Sequence, residues 1–254
     1  MRLLSIIRRL PVGRLAGIAF GIATHVLFAV TVWFLFAFLS GRLTTHIGSL
    51  WIDGLLALQF AVSHSLLLHP RVRQRLAPWI GAPFYGLFFC TATCLSLLLT
   101  FAFWRTSPIV IWEFHSWTSE SARIAFYASW VGLFYSLHLS GLTWQTGLTP
   151  WWQWVRGKPL PQRTFREAGL YRWFRHPIYL SFLGLIWFTP RLSLDHALLT
   201  GLWTAYIFVG SWLKDRRLEY YLGEDYREYE SRVPGYPLIP SGPLGKRPVP
   251  RAAA

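Results

Sequence analysis

Acidic side chains are scarce. Asp and Glu number 11 among 254 residues, against 25 Lys and Arg, and charged residues make up only 14% where hydrophobic ones make up 53%. So few charges cannot cover a soluble domain of this length, which excludes an ordinary cytosolic fold and leaves a membrane protein. Cysteine is nearly missing as well: Cys90 and Cys94 both sit inside an apolar stretch. A disulfide framework and a cysteine zinc site are thereby excluded, and both residues read as small buried hydrophobes. No Gly-x-Gly-x-x-Gly or P-loop pattern occurs, which rules out a nucleotide site of the soluble type. The 8 histidines are scattered, with no pair at ligand spacing backed by a third, so no metal centre is expected. A net charge of +14 raises the question of nucleic acid or an anionic membrane. Here the cations lie between apolar runs rather than on a folded basic face, which favours the membrane and excludes nucleic acid.

Six runs lack Asp, Glu, Lys and Arg: Leu15 to Gly41, Gly54 to Pro70, Leu76 to Trp104, Ile124 to Val155, His176 to Pro190 and His196 to Leu213. A helix needs about 20 apolar residues to cross a bilayer, a length that most of these runs reach or approach and the fifth does not. The first is too long for a secretory signal core and has no small-residue cleavage site after it, so it reads as a mature helix. Cytoplasmic loops are enriched in Lys and Arg. With six spans and both termini cytoplasmic, every cation except Arg42, Arg105, Arg123 and Arg191 falls inside. The expected fold is therefore an all-α integral membrane bundle of about six transmembrane helices, in the cytoplasmic membrane if the source is bacterial. Residues 1–240 read as one domain. The tail from Ser241 to Ala254, rich in Pro and basic residues with nothing to bury, reads as disordered. Gly13, Gly17 and Gly21, four residues apart on the first helix, mark a close helix approach.

The informative half is the cytoplasmic one. A long basic connection from Arg156, including Arg163 and Arg166, leads into Arg175-His176-Pro177-Ile178-Tyr179, with Pro177 suited to the first helical position. From Pro177 to Pro190 a helix measures roughly 21 Å at about 1.5 Å per residue, against roughly 30 Å of hydrocarbon. The short span draws Arg175 and His176 toward the bilayer edge, where ionisable groups mark function; the bland alternative is a snorkelling arginine and a packed histidine. After the sixth run, Leu218, Leu222, Tyr226 and Tyr229 recur at helical spacing, with Asp215 on the same face. An amphipathic C-terminal helix is expected to close over the elbow and leave a sheltered cavity between them. Farther along, Asp53, His64, Ser65 and His138 are polar groups within spans. Asp53 and His64 share a helix face three turns apart and read as interhelical hydrogen-bond glue, or else as a proton pathway or substrate contacts.

The order Gly169-Leu170-Tyr171-Arg172, Arg175-His176-Pro177-Ile178-Tyr179-Leu180, Thr189-Pro190, His196, Leu218, Gly223, Tyr226, Tyr229, Val233-Pro234 resembles the membrane methyltransferases that include isoprenylcysteine carboxyl methyltransferase. Within them it resembles the nurim family and its methanethiol S-methyltransferase subgroup, to which His64-Ser65 and Arg156-Gly157-Lys158-Pro159 are also similar. The resemblance spans about residues 50 to 240. It implies S-adenosylmethionine as cofactor, held by His176, Pro177, Tyr179, Asp215, Tyr226 and Tyr229, with Arg175, His176 and Asp215 as catalytic candidates and no metal. It also implies a small thiol or lipid-like acceptor, for which His64 and Ser65 are the substrate candidates. Aromatic faces attract a sulfonium, Arg175 would meet the donor's carboxylate, and Asp215 would accept from ribose hydroxyls or favour the cation. Two departures stand out: Lys214-Asp215-Arg216 replaces one of two adjacent carboxylates by a cation, and Leu139 to Trp144 lacks acidic and histidine residues. They keep open a second class, a nurim-like or NnrU-like membrane protein without turnover.

Overall fold

The computed structural model describes residues 12–43, 47–162 and 167–247. Helix α1 (Val12–Leu39) is followed by α2 (Leu50–Leu68), α3 (Pro70–Ile80) and α4 (Tyr85–Phe103). The segment Gly13–Leu39, α2 and α4 are each long and apolar enough to cross a bilayer. Val26, Trp33, Leu55 and Leu95 on these helices stand more than half exposed, which in water would be untenable and in lipid is ordinary. The protein is a membrane protein. Between α2 and α4, His69 caps α3 by accepting the Arg71 backbone N–H at 3.2 Å, and Pro70 opens the helix where its missing N–H costs nothing.

Strand β1 (Val110–Glu113) precedes α5 (Ser116–Ser140), the short helices α6 (Leu142–Gln145) and α7 (Leu148–Val155), and a 3-10 turn at Gly169–Arg172. Then come α8 (Pro177–Trp187), β2 (Arg191–Ser193), α9 (Leu194–Leu222) and α10 (Glu224–Arg232). The bundle is all-helical apart from the ribbon in which β1 pairs antiparallel with β2. Helices α2 and α4, α1 and α4, and α5 and α8 run against one another. Phe101, Trp104, Phe126, Trp130, Leu185 and Leu199 belong to the core between them.

Several expectations are corrected. The fourth run is not one helix: it takes in the part of α5 from Ile124 onward, α5 beginning at Ser116 and stopping at Gly141, held in the left-handed region at φ +83°, and then α6 and α7. The third run contains the end of α3 as well as α4. Beyond the sixth run, Asp215 to Leu222 is no separate amphipathic helix but the continuation of α9, broken only at Gly223, whose φ of +61° lets the chain reverse into α10. Residues 241–247 are held rather than loose: the Arg247 backbone N–H donates to Glu230 O at 3.0 Å and Lys246 N to Pro240 O at 3.1 Å. The rest of the tail, with the arginines at positions 2, 8, 9, 163 and 166, lies outside the described residues. Cys90 and Cys94 are free and buried, as expected of small hydrophobes.

The glycine spacing on α1 has a partner. At Gly17 an added Cβ would lie 2.6 Å from the Trp154 ring, and at Gly21 it would overlap the Trp151 indole, whose Nε1 donates to Gly17 O at 2.9 Å. Gly21→Leu is expected to destabilise the protein by about 1–3 kcal/mol through overpacking. Gly13→Leu should be neutral, because among the described residues nothing lies within 4 Å of that site. Thermal unfolding in detergent compares the two; equal melting of both variants would show that the tryptophans do not seat on α1.

Candidate functional site

Helix α8 is 11 residues long, starts at Pro177 and leaves the elbow Arg175-His176 as its lead-in. The backbone N–H groups of Arg175 and His176 donate to Pro234 O at 2.9 Å and Gly235 O at 3.2 Å. The elbow is thus stitched to the segment that follows α10. Helix α9 carries Asp215 to the same place, and the reversal at Gly223 folds Tyr226 and Tyr229 back onto it, where they pack with Leu218, Leu222 and Val233.

Asp215 is the hub. Its Oδ2 accepts from Arg175 Nη2 at 2.8 Å and from His176 Nε2 at 3.1 Å, and its Oδ1 accepts from Tyr226 Oη at 2.6 Å. Arg175 Nη1 meanwhile donates to Val233 O at 2.8 Å, Gly245 O at 2.9 Å and Glu230 O at 3.3 Å. Tyr229 Oη donates to Tyr171 O at 2.6 Å. Arg175, His176, Asp215, Tyr226 and Tyr229 are all buried, with exposures of 0–2%. A buried ion pair is tolerable only when its remaining donors and acceptors are satisfied, and here nearly all are. Burial, followed by the Asp215 charge, pushes the Tyr226 phenol well above its ordinary range, so it remains a donor; burial and Asp215 likewise push Glu230 upward.

Among Arg175, His176, Asp215, Tyr226 and Tyr229, two buried side-chain atoms are left over. Donation from His176 Nε2 to the carboxylate assigns the proton to that nitrogen, which makes Nδ1 an acceptor, and Nδ1 is buried without a hydrogen-bond partner, as is Arg175 Nε. The His176 ring meets Tyr179 edge-on at 5.6 Å and Tyr236 at 5.4 Å. Beside it the Lys214 ammonium lies 5.5 Å from the Tyr179 ring and 5.6 Å from the Tyr171 ring. Two phenol faces therefore already hold a cation at the rim of the cluster.

The elbow and the tyrosine-bearing terminal segment meet, as expected from sequence, and the side chains that meet there are buried. Arg175 and Asp215 are paired with one another, Arg175 Nη1 also donating to backbone carbonyls and Asp215 also accepting from His176 and Tyr226. Pro177 is buried at the first turn of α8, and Tyr179 points toward α9, its hydroxyl 3.5 Å from Gly210 O. His64 and Ser65 do not join this cluster. His64 packs at a tilt against Phe60 and Phe89 with Nδ1 3.3 Å from Thr93 Oγ1, and Ser65 Oγ reaches Tyr206 Oη at 3.5 Å. Asp53 accepts the Arg105 backbone N–H at 2.7 Å, a bond of the bridging kind expected for it, and His138 is exposed at the end of α5. Among the described residues no group of three metal-ligating side chains exists. Sequence reasoning missed Tyr236, Glu230 and Gly245 at the cluster. Only Val233-Pro234 next to them carried a signal.

No family model and no solved structure matches the chain. Among curated proteins, it is 31% identical over 225 residues to methanethiol S-methyltransferase 1 of Bradyrhizobium diazoefficiens, covering 84% of this chain and 79% of that one. It is 28% identical to methanethiol S-methyltransferase of a Pseudomonas species, covering 87% of this chain and 89% of the relative. Nurim of Mus musculus is 29% identical, over 68% of this chain and 70% of its own length.

Proposed function

The chain belongs to the family that contains methanethiol S-methyltransferase and nurim, and from that membership we propose a membrane methyltransferase that takes its methyl group from S-adenosylmethionine and delivers it to the sulfur of a small thiol. The observation that carries the reading is the cation held between Tyr171 and Tyr179 next to the elbow. Faces that accept an ammonium accept a sulfonium by the same quadrupole attraction. The unpartnered His176 Nδ1 supports the fit, since it offers an acceptor at a buried, tyrosine-lined position. When bound, the donor supplies an electrophilic methyl group.

The chain's own residues then divide the work. Tyr179 and Tyr171 hold the positive charge, and the Lys214 ammonium is the group to meet a carboxylate. Arg175, Asp215, Tyr226 and Tyr229 act as positioning residues, fixing the elbow against α10 so that His176 keeps one tautomer. His176 Nδ1 takes the thiol proton as the acceptor sulfur attacks, and cations nearby favour the thiolate. Apolar surroundings exclude water, and positioning supplies much of the rate. His64, Ser65 and Tyr206, on the facing helices, form the acceptor side.

Calorimetry on detergent-purified protein tests the donor. Tyr179→Leu is expected to weaken S-adenosylmethionine binding roughly 2- to 30-fold, the value of one cation–π contact of about 0.5–2 kcal/mol. Wild-type protein without donor affinity would overturn the reading. Labelled methyl transfer to a panel of thiols, isoprenylcysteine and amine lipids then identifies the acceptor. A second reading, a nurim-like scaffold without turnover, is favoured by one observation: Lys214 itself occupies the cation position. In that case Lys214→Ala would not create donor affinity where wild type has none.

The six-span topology with cytoplasmic termini is part of the same proposal. Helices α5 and α9, of 25 and 29 residues, are long enough to span, and Ile124, Val131 and Val209 stand exposed on them. In inside-out vesicles, a cysteine at Arg75 should react with an impermeant maleimide and one at Arg123 should not; the reverse pattern would refute the orientation.

A further inference from the structure

Helix α9 carries a second polar face. Tyr206, Gly210, Lys214 and Arg217 fall within about 80° of its circumference at about 100° per residue, while Asp215 lies about 160° away from Arg217. This face looks onto α2 and onto Tyr179 of α8. Ser65 Oγ is 3.5 Å from Tyr206 Oη, the Phe60 ring stands 6.1 Å from the Tyr206 ring and 5.5 Å from that of His64, and the Tyr179 hydroxyl is 3.5 Å from Gly210 O. At Gly210 an added Cβ would meet Tyr179 Oη at 3.9 Å and, among the described residues, nothing else within 4 Å. A gap the size of a small side chain thus opens beside Tyr179.

Arg217 stands over this gap. Helical side chains lean toward the N-terminus of their helix, so one that leaves position 217 runs back toward Lys214 and Gly210. Its charge is felt at His64, Tyr179 and Tyr206, one residue from each of the three helices that border the seam. An arginine snorkelling to the headgroups would turn away from these three. Arg217 is partly buried and, among the described residues, makes no side-chain hydrogen bond or ion pair. The nearby carboxylates of α9 are taken, Asp215 by Arg175, His176 and Tyr226, and Glu219 by Arg216 and Arg227. A guanidinium set against two phenols and an imidazole, with no counter-ion, is equipped to hold a small anion.

We propose that Arg217 holds the acceptor of the methyl group as its thiolate, in the seam between α2 and α9. The identity of the anion rests on the methyl-transfer reading; the anion site itself does not. In that reading Lys214 meets the donor's carboxylate, which leaves Arg217 for the second negative charge, and the Phe60 ring and the gap at Gly210 suit a sulfur bearing a small apolar group. The thiol proton passes to His176 Nδ1. The sulfur's electron pair then forms the new S–CH3 bond as the donor's C–S bond breaks and leaves its pair on the donor sulfur, so thiolate and sulfonium are neutralised together. Calorimetry of full-length protein in detergent with sodium hydrosulfide, at mildly alkaline pH and with no donor present, tests the site. Wild type should bind it, Arg217→Gln should bind it at least about tenfold more weakly, as expected for one lost charge-assisted hydrogen bond, and Arg217→Lys should recover part. The glutamine variant should melt with wild type, since its side chain has no partner to lose. With S-adenosylmethionine and ethanethiol, the same variant should raise the KM for ethanethiol about tenfold and leave donor affinity unchanged. No hydrosulfide affinity in wild type, or equal affinity in wild type and Arg217→Gln, would overturn the inference, as would a glutamine variant that loses S-adenosylmethionine and keeps hydrosulfide. Hydrosulfide binding that depends on Arg217 in a protein without donor affinity would support the anion site and overturn methyl transfer instead.

Discussion

Asp215→Ala is expected to lower the stability of the detergent-solubilised protein by about 3–5 kcal/mol, the usual result of stripping one partner from a buried ion pair. The reason is the number of groups that converge on this carboxylate. Arg175 Nη2, His176 Nε2 and Tyr226 Oη all donate to it, and all three side chains are buried. Removing it takes the acceptor from Arg175 Nη2, an imidazole N–H and a phenol in a dry place, and each carries its own desolvation cost. For a chain of this size such a loss corresponds to a drop of about 10 °C or more in melting temperature. Donor binding should fall with it, because the elbow would no longer be fixed. A variant melting within a degree of wild type would show that the cluster is incidental. Asp215→Asn, which keeps the shape and one acceptor oxygen, should fall between the two.

The second large effect belongs to Arg175→Met. Arg175 ties three backbone carbonyls, those of Glu230, Val233 and Gly245, to the start of α8. Hydrogen bonds from a charged donor contribute about 1.5–3 kcal/mol each and do not add, so a loss of at least about 3 kcal/mol is expected. The readout is local: α10 and the residues after it should come away, and trypsin should cleave at Arg227, Arg232 and Lys246 well before the bundle unfolds. Arg175→Met combined with Asp215→Leu should recover part of the lost stability, since replacing both members of a buried pair by apolar groups is far milder than removing one. Cleavage at the wild-type rate in the single variant would mean that the tail is held by something else.

How much of this was legible beforehand follows from which forces act over short stretches of chain. The membrane assignment, the start of α8 at Pro177 and the packing at Gly17 and Gly21 on α1 come from composition and local spacing, and the structure agrees with them, whereas Gly13, read as part of the same stripe, has no described neighbour within 4 Å. The meeting of Arg175 and His176 with Asp215 and Tyr226 was readable too, because a short span and an amphipathic repeat constrain the same neighbourhood. What escaped was set by backbone conformations without an apolar signature. Gly141 and Gly223 each adopt positive φ, and so break the fourth run and turn α9 into α10; a count of charge-free residues does not register them. The roles of Glu230 O and Gly245 O were invisible because carbonyls carry no residue identity. The saturation of Asp215 was equally hidden: spacing shows which side chains can meet, not whether they leave room for a ligand.

The attachment of Gly245 to Arg175 bears on how the protein should be handled. Trimming the chain after Pro240, a natural choice for a stretch of Pro and basic residues, would delete one of the three oxygens that receive Arg175 Nη1 and the Arg247 guanidinium, 3.3 Å from Glu230. An affinity tag is therefore safer beyond Arg247 than in place of the last turns, and shortened versions that precipitate would be reporting a missing acceptor at the heart of the fold.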